Sequence, residues 1–360
     1  MRGCASDILT PLVILLAVAS TAACTAKRMN AGDAGSPHRE LAYLREQPFV
    51  RRPFVPFSGK SWIGNAIAYG PFRDGQYPGG PSPTKAELRQ DLHLMSQHWR
   101  LLRMYGAVGS AKTVLEIIEE DDLDMKIMIG IWIGVEERLD PSGKRVEDFA
   151  ETRTENRREV ESAIRLAADY PDIVIAVSVG NETQVSWSSH RIAPELLIGY
   201  VREVRARAQI PITVADDFNF WNKPESEMVT RELDFIVTHA HPLWNGLQLE
   251  DALEWTRGAL EEVQATHPNH TIVLGETGWA TRKHNQGEQT TLIKGQPGEE
   301  QQKIFFDALT AWVNRERITT FFFEAFDENW KGGEHADDVE KHWGLFRADR
   351  TPKKALAEGE

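Results

Sequence analysis

Two stretches decide how this chain is read: Ile173-Val-Ile-Ala-Val-Ser-Val-Gly-Asn-Glu182 and Thr271-Ile-Val-Leu-Gly-Glu276-Thr-Gly-Trp279. Each is a short apolar run, rich in β-branched residues, that stops at a glutamate. A run apolar nearly throughout predicts a strand covered on both faces, because a strand with one wet face would alternate. A carboxylate at the tip of such a strand must find a partner or serve a site. A helix cap or a surface ion pair would account for either glutamate alone.

Working outward, the same pattern recurs. Strands are expected at Trp62 to Tyr69, Arg100 to Tyr105, Met125 to Ile133, Ile173 to Val179, Ile212 to Ala215, Phe235 to His239, Thr271 to Leu274 and Thr319 to Phe323. Between them, apolar residues spaced by three and four predict helices at Thr84 to Gln97, Thr113 to Glu120, Asn156 to Tyr170, Pro194 to Ala208, Leu249 to Thr266 and Glu299 to Arg315. Pro224 to Leu233 is a weaker, shorter helix, and the last helix is unclear. Eight strand–helix units imply an α/β fold, a (β/α)8 TIM barrel forming a single catalytic domain over 59–360, in preference to an open doubly wound sheet. No G-x-G-x-x-G or P-loop sequence is present, which removes the usual nucleotide reading. Glu182 then ends strand four and Glu276 strand seven. Those tips face each other across a barrel mouth, where barrel enzymes keep their chemistry.

Residues 1–23 are expected to be a signal peptide. Ile8 to Ala19 is apolar but short for a membrane span, and small residues follow it. Thr21-Ala-Ala-Cys24 is similar to a bacterial lipobox, which makes Cys24 a candidate lipidation site and the envelope the expected location. Cleavage after Ala19, with plain periplasmic or extracellular export, is the other reading. Residues 24–58 are polar and proline-punctuated, as a tether would be. Both cysteines, Cys4 and Cys24, lie in the leader, so the domain is expected to hold neither a disulfide nor a cysteine metal site.

With 41 Lys and Arg against 54 Asp and Glu the net charge is -13, which argues against nucleic acid and anionic polymers as partners. A neutral polysaccharide is compatible, with membrane contact only through a lipid anchor. Eleven tryptophans offer flat faces for pyranose rings, although most tryptophans in a large domain fill its core.

Two facing carboxylates suit glycosidic bond cleavage, where one acid protonates the leaving oxygen and one carboxylate stabilises or attacks the anomeric carbon. Val179-Gly-Asn-Glu-Thr183, Gly275-Glu-Thr-Gly-Trp279 and Phe323-Glu-Ala-Phe-Asp-Glu-Asn-Trp-Lys331 resemble segments of glycoside hydrolase family 17, the β-1,3-glucanases and β-1,3-glucanosyltransferases, over about residues 60 to 350. The resemblance implies a retaining enzyme with Glu182 as general acid/base and Glu276 as nucleophile. It needs no cofactor, and a monomer suffices.

Asn181 is expected to hydrogen-bond the sugar 2-hydroxyl or to serve as a turn residue. Tyr105 either orients Glu276 or is a buried barrel tyrosine. Glu328 and Lys331 match a family pair after strand eight, as a site element or a structural ion pair. Trp244, Trp279 and Trp330 are candidate stacking platforms, and Asp217 and Trp221 could face the cleft. The family often has tyrosine where this chain has His241. His239 and His241 share one strand face, a spacing that could bind metal, but no further His or Cys cluster completes a site; hydrogen bonding to sugar or carboxylates is expected instead. Hydrolysis of β-1,3-glucan and transglycosylation use the same residues. A non-catalytic glucan-binding lipoprotein would be signalled by loss of one carboxylate, and both are present.

Overall fold

The computed structural model describes residues 49–140 and 144–357. The expected signal peptide, Cys24 and most of the expected tether lie outside them. Eight strands close into a parallel barrel in sequence order: β1 (Asn65–Ala68), β2 (Leu101–Arg103), β3 (Lys126–Ile131), β4 (Val174–Asn181), β5 (Ile212–Asp217), β6 (Ile236–His239), β7 (Ile272–Thr277) and β8 (Thr320–Phe322), with β8 pairing β1. A closed sheet has no edge to protect, and both of its faces are covered. Leu101, Met128, Ala176, Val237, Val273 and Phe321 fill the lumen, while a larger apolar layer lies between barrel and helices.

The outer layer is α1 (Lys85–Ser96), α2 (Ala111–Glu120), α3 (Ala150–Asp169), α4 (Pro194–Arg207), α5 (Leu249–Thr266) and α6 (Glu299–Glu316). In α2 the buried residues are Ala111, Val114, Leu115, Ile117 and Ile118, the three-and-four spacing that turns one stripe to the barrel. Thr84 and Glu87 close a capping box that starts α1. Beyond β8 the chain forms a 3-10 turn at Val339–Lys341 and returns so that Phe326 bridges Phe346. Among the described residues no α-helix follows β8.

Several expectations need correction. Helix α3 begins at Ala150, almost two turns before the predicted start, because its first turns are polar and carry no apolar stripe. Ahead of it an antiparallel hairpin, Glu137–Leu139 with Arg145–Asp148, is laced by Arg138–Glu147 and Arg145–Glu137 ion pairs at 2.8 and 2.6 Å. The weak helix near Pro224 is a 3-10 turn, Pro224–Ser226, followed by Glu227–Thr230. Residues 49–58, read as tether, pack on the domain: Phe54 stacks on Phe235 at 4.4 Å, and the Arg52 guanidinium donates to the Ala208 and Ile210 carbonyls.

Register breaks are placed where the site needs them. Between β4 and β5, Ser178 pairs Thr213 but Asn181 pairs Ala215; between β6 and β7, Thr238 pairs Leu274 but His239 pairs Glu276. A β-bulge re-aims the side chain that follows it.

Candidate active site

At the tip of β7, glycine is required. A Cβ on Gly275 would stand 2.2 Å from Val237 Cγ1 and 3.1 Å from His239 Cδ2, so only a bare backbone lets β6 and β7 approach closely enough to set Glu276 among its partners. Arg103 Nη1 donates to Glu276 Oε1 at 2.6 Å, and the Tyr105 hydroxyl donates to the same oxygen at 2.9 Å. His241 Nε2 lies 3.2 Å from Oε2, and His239 Nε2 lies 3.5 Å from Oε1. Burial would push the Glu276 carboxyl up. The charges of His239 and Arg103 and the bond from His241 outweigh it and hold the group well below the usual carboxylate range. In turn burial would lower His241, but its bond to Glu276 and that carboxylate's charge raise it above 6.5. Tyr105 is raised by burial and by the Glu276 charge, so it stays a neutral donor.

The tip of β4 is built differently. Gly180 takes φ +77 and Glu182 itself φ 49, a left-handed conformation costing a non-glycine residue roughly 1 kcal/mol. The Glu182 amide donates to the Ala215 carbonyl at 2.9 Å, which anchors the turn on β5. The Glu182 side chain is 26% exposed against 7% for Glu276. Its Oε1 lies 2.9 Å from His239 Nδ1, so one buried imidazole stands between the two glutamates. Behind Glu182, burial and the neighbouring Glu182 charge raise the Asp216 carboxyl well above its ordinary range. Arg103 also joins the two halves: its Nη2 donates to Asn181 Oδ1 at 2.5 Å and its Nη1 to the Gly275 carbonyl at 3.2 Å.

A third group follows β8. Lys331 Nζ sits 2.6 Å from Glu324 Oε2 and 2.8 Å from Glu328 Oε2, and 4.7 Å from the centre of the Phe323 ring. Burial works against the Lys331 charge, but the two glutamates raise its pKa. Glu324 is raised well above its ordinary range, by burial first, with Lys331 opposing. Its Oε1 is buried with no hydrogen-bond partner among the described residues.

The BtgE/BtgC glycoside hydrolase domain matches residues 66–344, which include every group just described. The chain belongs to that family. This glycoside hydrolase is 26% identical to a glucan 1,3-beta-glucosidase of Arthroderma benhamiae over 296 residues, 77% of this chain and 86% of that protein. Its fold is shared by an endo-laminarinase from Formosa, with a TM-score of 0.70 at 24% identity, over 83% of this chain and 88% of the other. A glycoside hydrolase family 17 β-1,3-glucanosyltransferase from Rhizomucor miehei matches with a TM-score of 0.63 at 22% identity, over 81% and 96% of the two chains.

The glycosidase fold brings most of the expected residues together. Glu182, Glu276, Asn181, Tyr105 and His241 form one bonded cluster. Glu328 and Lys331 pair as expected, with Glu324 as an unforeseen third member. Trp244 is half-buried and donates from Nε1 to Glu340 Oε1 at 2.9 Å, and Trp330 is exposed beyond β8. Two expectations are corrected. Trp279 is fully buried, packed near Phe305 with its N–H on the Gln296 carbonyl, and Trp221 is fully buried with its N–H shared by the Asp216 and Val237 carbonyls. Neither presents a face to a ligand. Asp217 is buried and its carboxylate caps the turn Phe218–Trp221 by accepting from the Asn219 amide at 2.8 Å. Arg103 was missed, although a charge inside the run Leu101-Leu-Arg103 was a visible signal: a buried arginine needs a carboxylate.

Glu182, His239 and Glu276 each offer a ligand atom, all within 4.8 Å of one another. That spacing would suit a cation, but the Arg103 guanidinium already occupies Glu276 Oε1 with positive charge.

Proposed function

We propose that this enzyme is a retaining glycosidase of β-1,3-glucan, with Glu276 as nucleophile and Glu182 as general acid/base. The observation that carries this reading is that an oxygen of Glu182 lies within 4.8 Å of one of Glu276. Inverting enzymes separate their carboxyl groups by about 6.5–9.5 Å to admit a water between them, whereas retaining enzymes hold them about 5–5.5 Å apart. The division of labour follows from surroundings. Glu276 is bonded by Arg103, Tyr105 and His241, with His239 Nε2 close by at 3.5 Å, surroundings that favour the carboxylate, as a nucleophile requires. Glu182 is the more accessible of the two, with a single imidazole partner, as befits a group that exchanges protons with substrate and water.

In the first step Glu276 attacks the anomeric carbon while Glu182 gives its proton to the departing glycosidic oxygen. In the second, Glu182 takes a proton from water, whose oxygen displaces Glu276 from the anomeric carbon with net retention. A sugar hydroxyl can replace water in that step, giving glucanosyl transfer with the same residues; the family resemblance to both kinds of enzyme supports keeping transfer as the alternative outcome. The leader read at residues 1–23 supports an exported enzyme held at the envelope through Cys24, or released if cleavage falls earlier.

The test compares Glu276→Ala and Glu182→Ala on linear β-1,3-gluco-oligosaccharide and on β-laminaribiosyl fluoride, with anomeric configuration read early by NMR. Glu276→Ala should lose both activities. Glu182→Ala should lose about 10²–10⁴-fold on the oligosaccharide and far less in fluoride release, because fluoride departs without a proton. Equal losses on both substrates for Glu182→Ala, or inverted products from wild type, would overturn the assignment.

A further inference from the structure

Of the eleven tryptophans, three are exposed: Trp132 at 41%, Trp187 at 59% and Trp330 at 40%. Each lies just beyond a barrel strand on the mouth side, Trp132 one residue after β3, Trp187 in the turn after β4 and Trp330 in the loop after β8. The other eight are buried or half-buried. Exposed indoles confined to the rim of one opening mark a surface that binds something with flat apolar faces.

The three fall into two groups, one after β8 and one after the neighbouring strands β3 and β4. On the β8 side Trp330 meets Phe72 edge to face at 5.7 Å. On the β3–β4 side the Trp132 ring lies 4.6 Å from the His190 ring, tilted by 37°. His190 is tied down in turn: its Nε2 is 2.7 Å from the Asn181 carbonyl oxygen, one residue before Glu182, and its Nδ1 is 3.3 Å from Ser188 Oγ. Trp187 stands in that same turn, five residues beyond Glu182. A ledge of rings therefore begins at the backbone that carries the proposed acid.

We infer that Trp132, His190 and Trp187 form the acceptor-side platform for glucosyl units, and that their grip sets how the glycosyl–Glu276 ester is divided between a sugar hydroxyl and water. The inference rests on the roles proposed above. Glu182 protonates the oxygen that leaves, so the departing sugar lies on its side of the bond. The incoming group arrives by the same route in reverse. When the acceptor is a sugar, its hydroxyl oxygen bonds to the anomeric carbon, the bond to Glu276 breaks, and the hydroxyl proton passes to Glu182. Water makes the same exchange but gains nothing from an indole face, whereas a pyranose held flat on one gains residence time. The platform therefore favours transfer over hydrolysis without touching the reacting atoms.

The experiment uses the full chain with β-laminaribiosyl fluoride as donor, which leaves the acceptor side empty once fluoride departs, and laminaritriose as acceptor. The transfer-to-hydrolysis product ratio is measured against acceptor concentration. Both products come from one ester, so the ratio does not depend on how much of a variant is folded. At subsaturating acceptor, Trp132→Ala and Trp187→Ala should each lower the ratio about three- to tenfold. Trp187→Phe should recover most of it and Trp187→Leu should not, because the flat face is what matters. Trp330→Ala should act on fluoride release and leave the ratio alone. An unchanged ratio in the Trp132 and Trp187 variants, or a wild type that gives only hydrolysis at high acceptor, would overturn the platform while leaving glycosidase chemistry standing. A wild type that neither releases fluoride nor cleaves glucan would instead overturn the roles on which the platform rests.

Discussion

Replacing Arg103 by methionine isolates the group that ties the two halves of the site together. The side chain is 2% exposed and its guanidinium reaches Glu276, the Gly275 carbonyl, Asn181 and the Tyr105 ring. Methionine fills similar space and removes every one of these donors. Breaking one partner of a buried ion pair typically costs about 3–5 kcal/mol, since the other charge stays buried. At about 2.1 cal/mol/K per residue over roughly 300 residues, that lowers Tm by about 5–8 °C. The chemical loss is separate. One charge-assisted hydrogen bond to the nucleophile is worth about 1.5–3 kcal/mol, so kcat/KM should fall about 10- to 150-fold. Arg103 is also one of the charges that hold Glu276 low, so the acid limb of the pH–rate profile should move to higher pH. Arg103→Lys keeps the charge but lacks the fork that spans Glu276 and Asn181, and should fall between wild type and methionine. Initial rates on laminaripentaose across pH, with thermal unfolding at the same pH values, supply all three numbers. An acid limb in Arg103→Met superimposable on wild type, with kcat/KM within threefold, would refute the proposal that this guanidinium sustains the Glu276 carboxylate.

Other perturbations read the same network. His241→Phe removes the donor to Glu276 Oε2, so the acid limb should again rise. Because the folded His241 pKa lies above 6.5, its protonated form contributes stability below that pH and loses it as pH climbs through the raised value; wild type should therefore exceed His241→Phe in Tm most clearly below pH 6.5, with the gap narrowing as pH rises. A constant gap would mean that packing against Phe323 and Trp343 carries the difference. Gly275→Ala forces a methyl against Val237 and His239, costing about 1–3 kcal/mol of stability by chemical denaturation. Its kcat should drop more steeply than that strain implies, since His239 contacts both glutamates; unaltered kcat would show that β6 yields freely.

Much of the site was legible in the chain. Apolar runs ending in Glu182 and Glu276 declared two covered strands with polar tips, because continuous burial of a parallel strand is written locally as continuous apolarity. Periodicities of two kinds then counted out the barrel. Polar elements escaped this reading. The Glu137–Leu139 hairpin and the first turns of α3 are held by cross-strand and helix-flank charges, which have no apolar period. The segment 49–58 looks like a linker until Phe54 is seen stacked on Phe235.

Which tryptophan serves the cleft was beyond the sequence. Trp279 follows Glu276 by three residues and Trp187 follows Glu182 by five, yet the first is sealed under Gly295 and Phe305 and the second stands in solvent. Local pattern fixes whether a residue belongs to a strand, a helix or a turn; the direction a loop side chain takes depends on neighbours distant in sequence. For the same reason Glu324, seen only as part of a motif, became the partner of Lys331, and Arg103 became the link between strands four and seven. The chain alone determined that two carboxylates would meet at the mouth of a barrel. Barrel closure, with its bulges at Gly180 and Gly275, decided their separation and which of the two would be surrounded by donors, because charge stabilisation depends on distances between segments that adjoin only after folding.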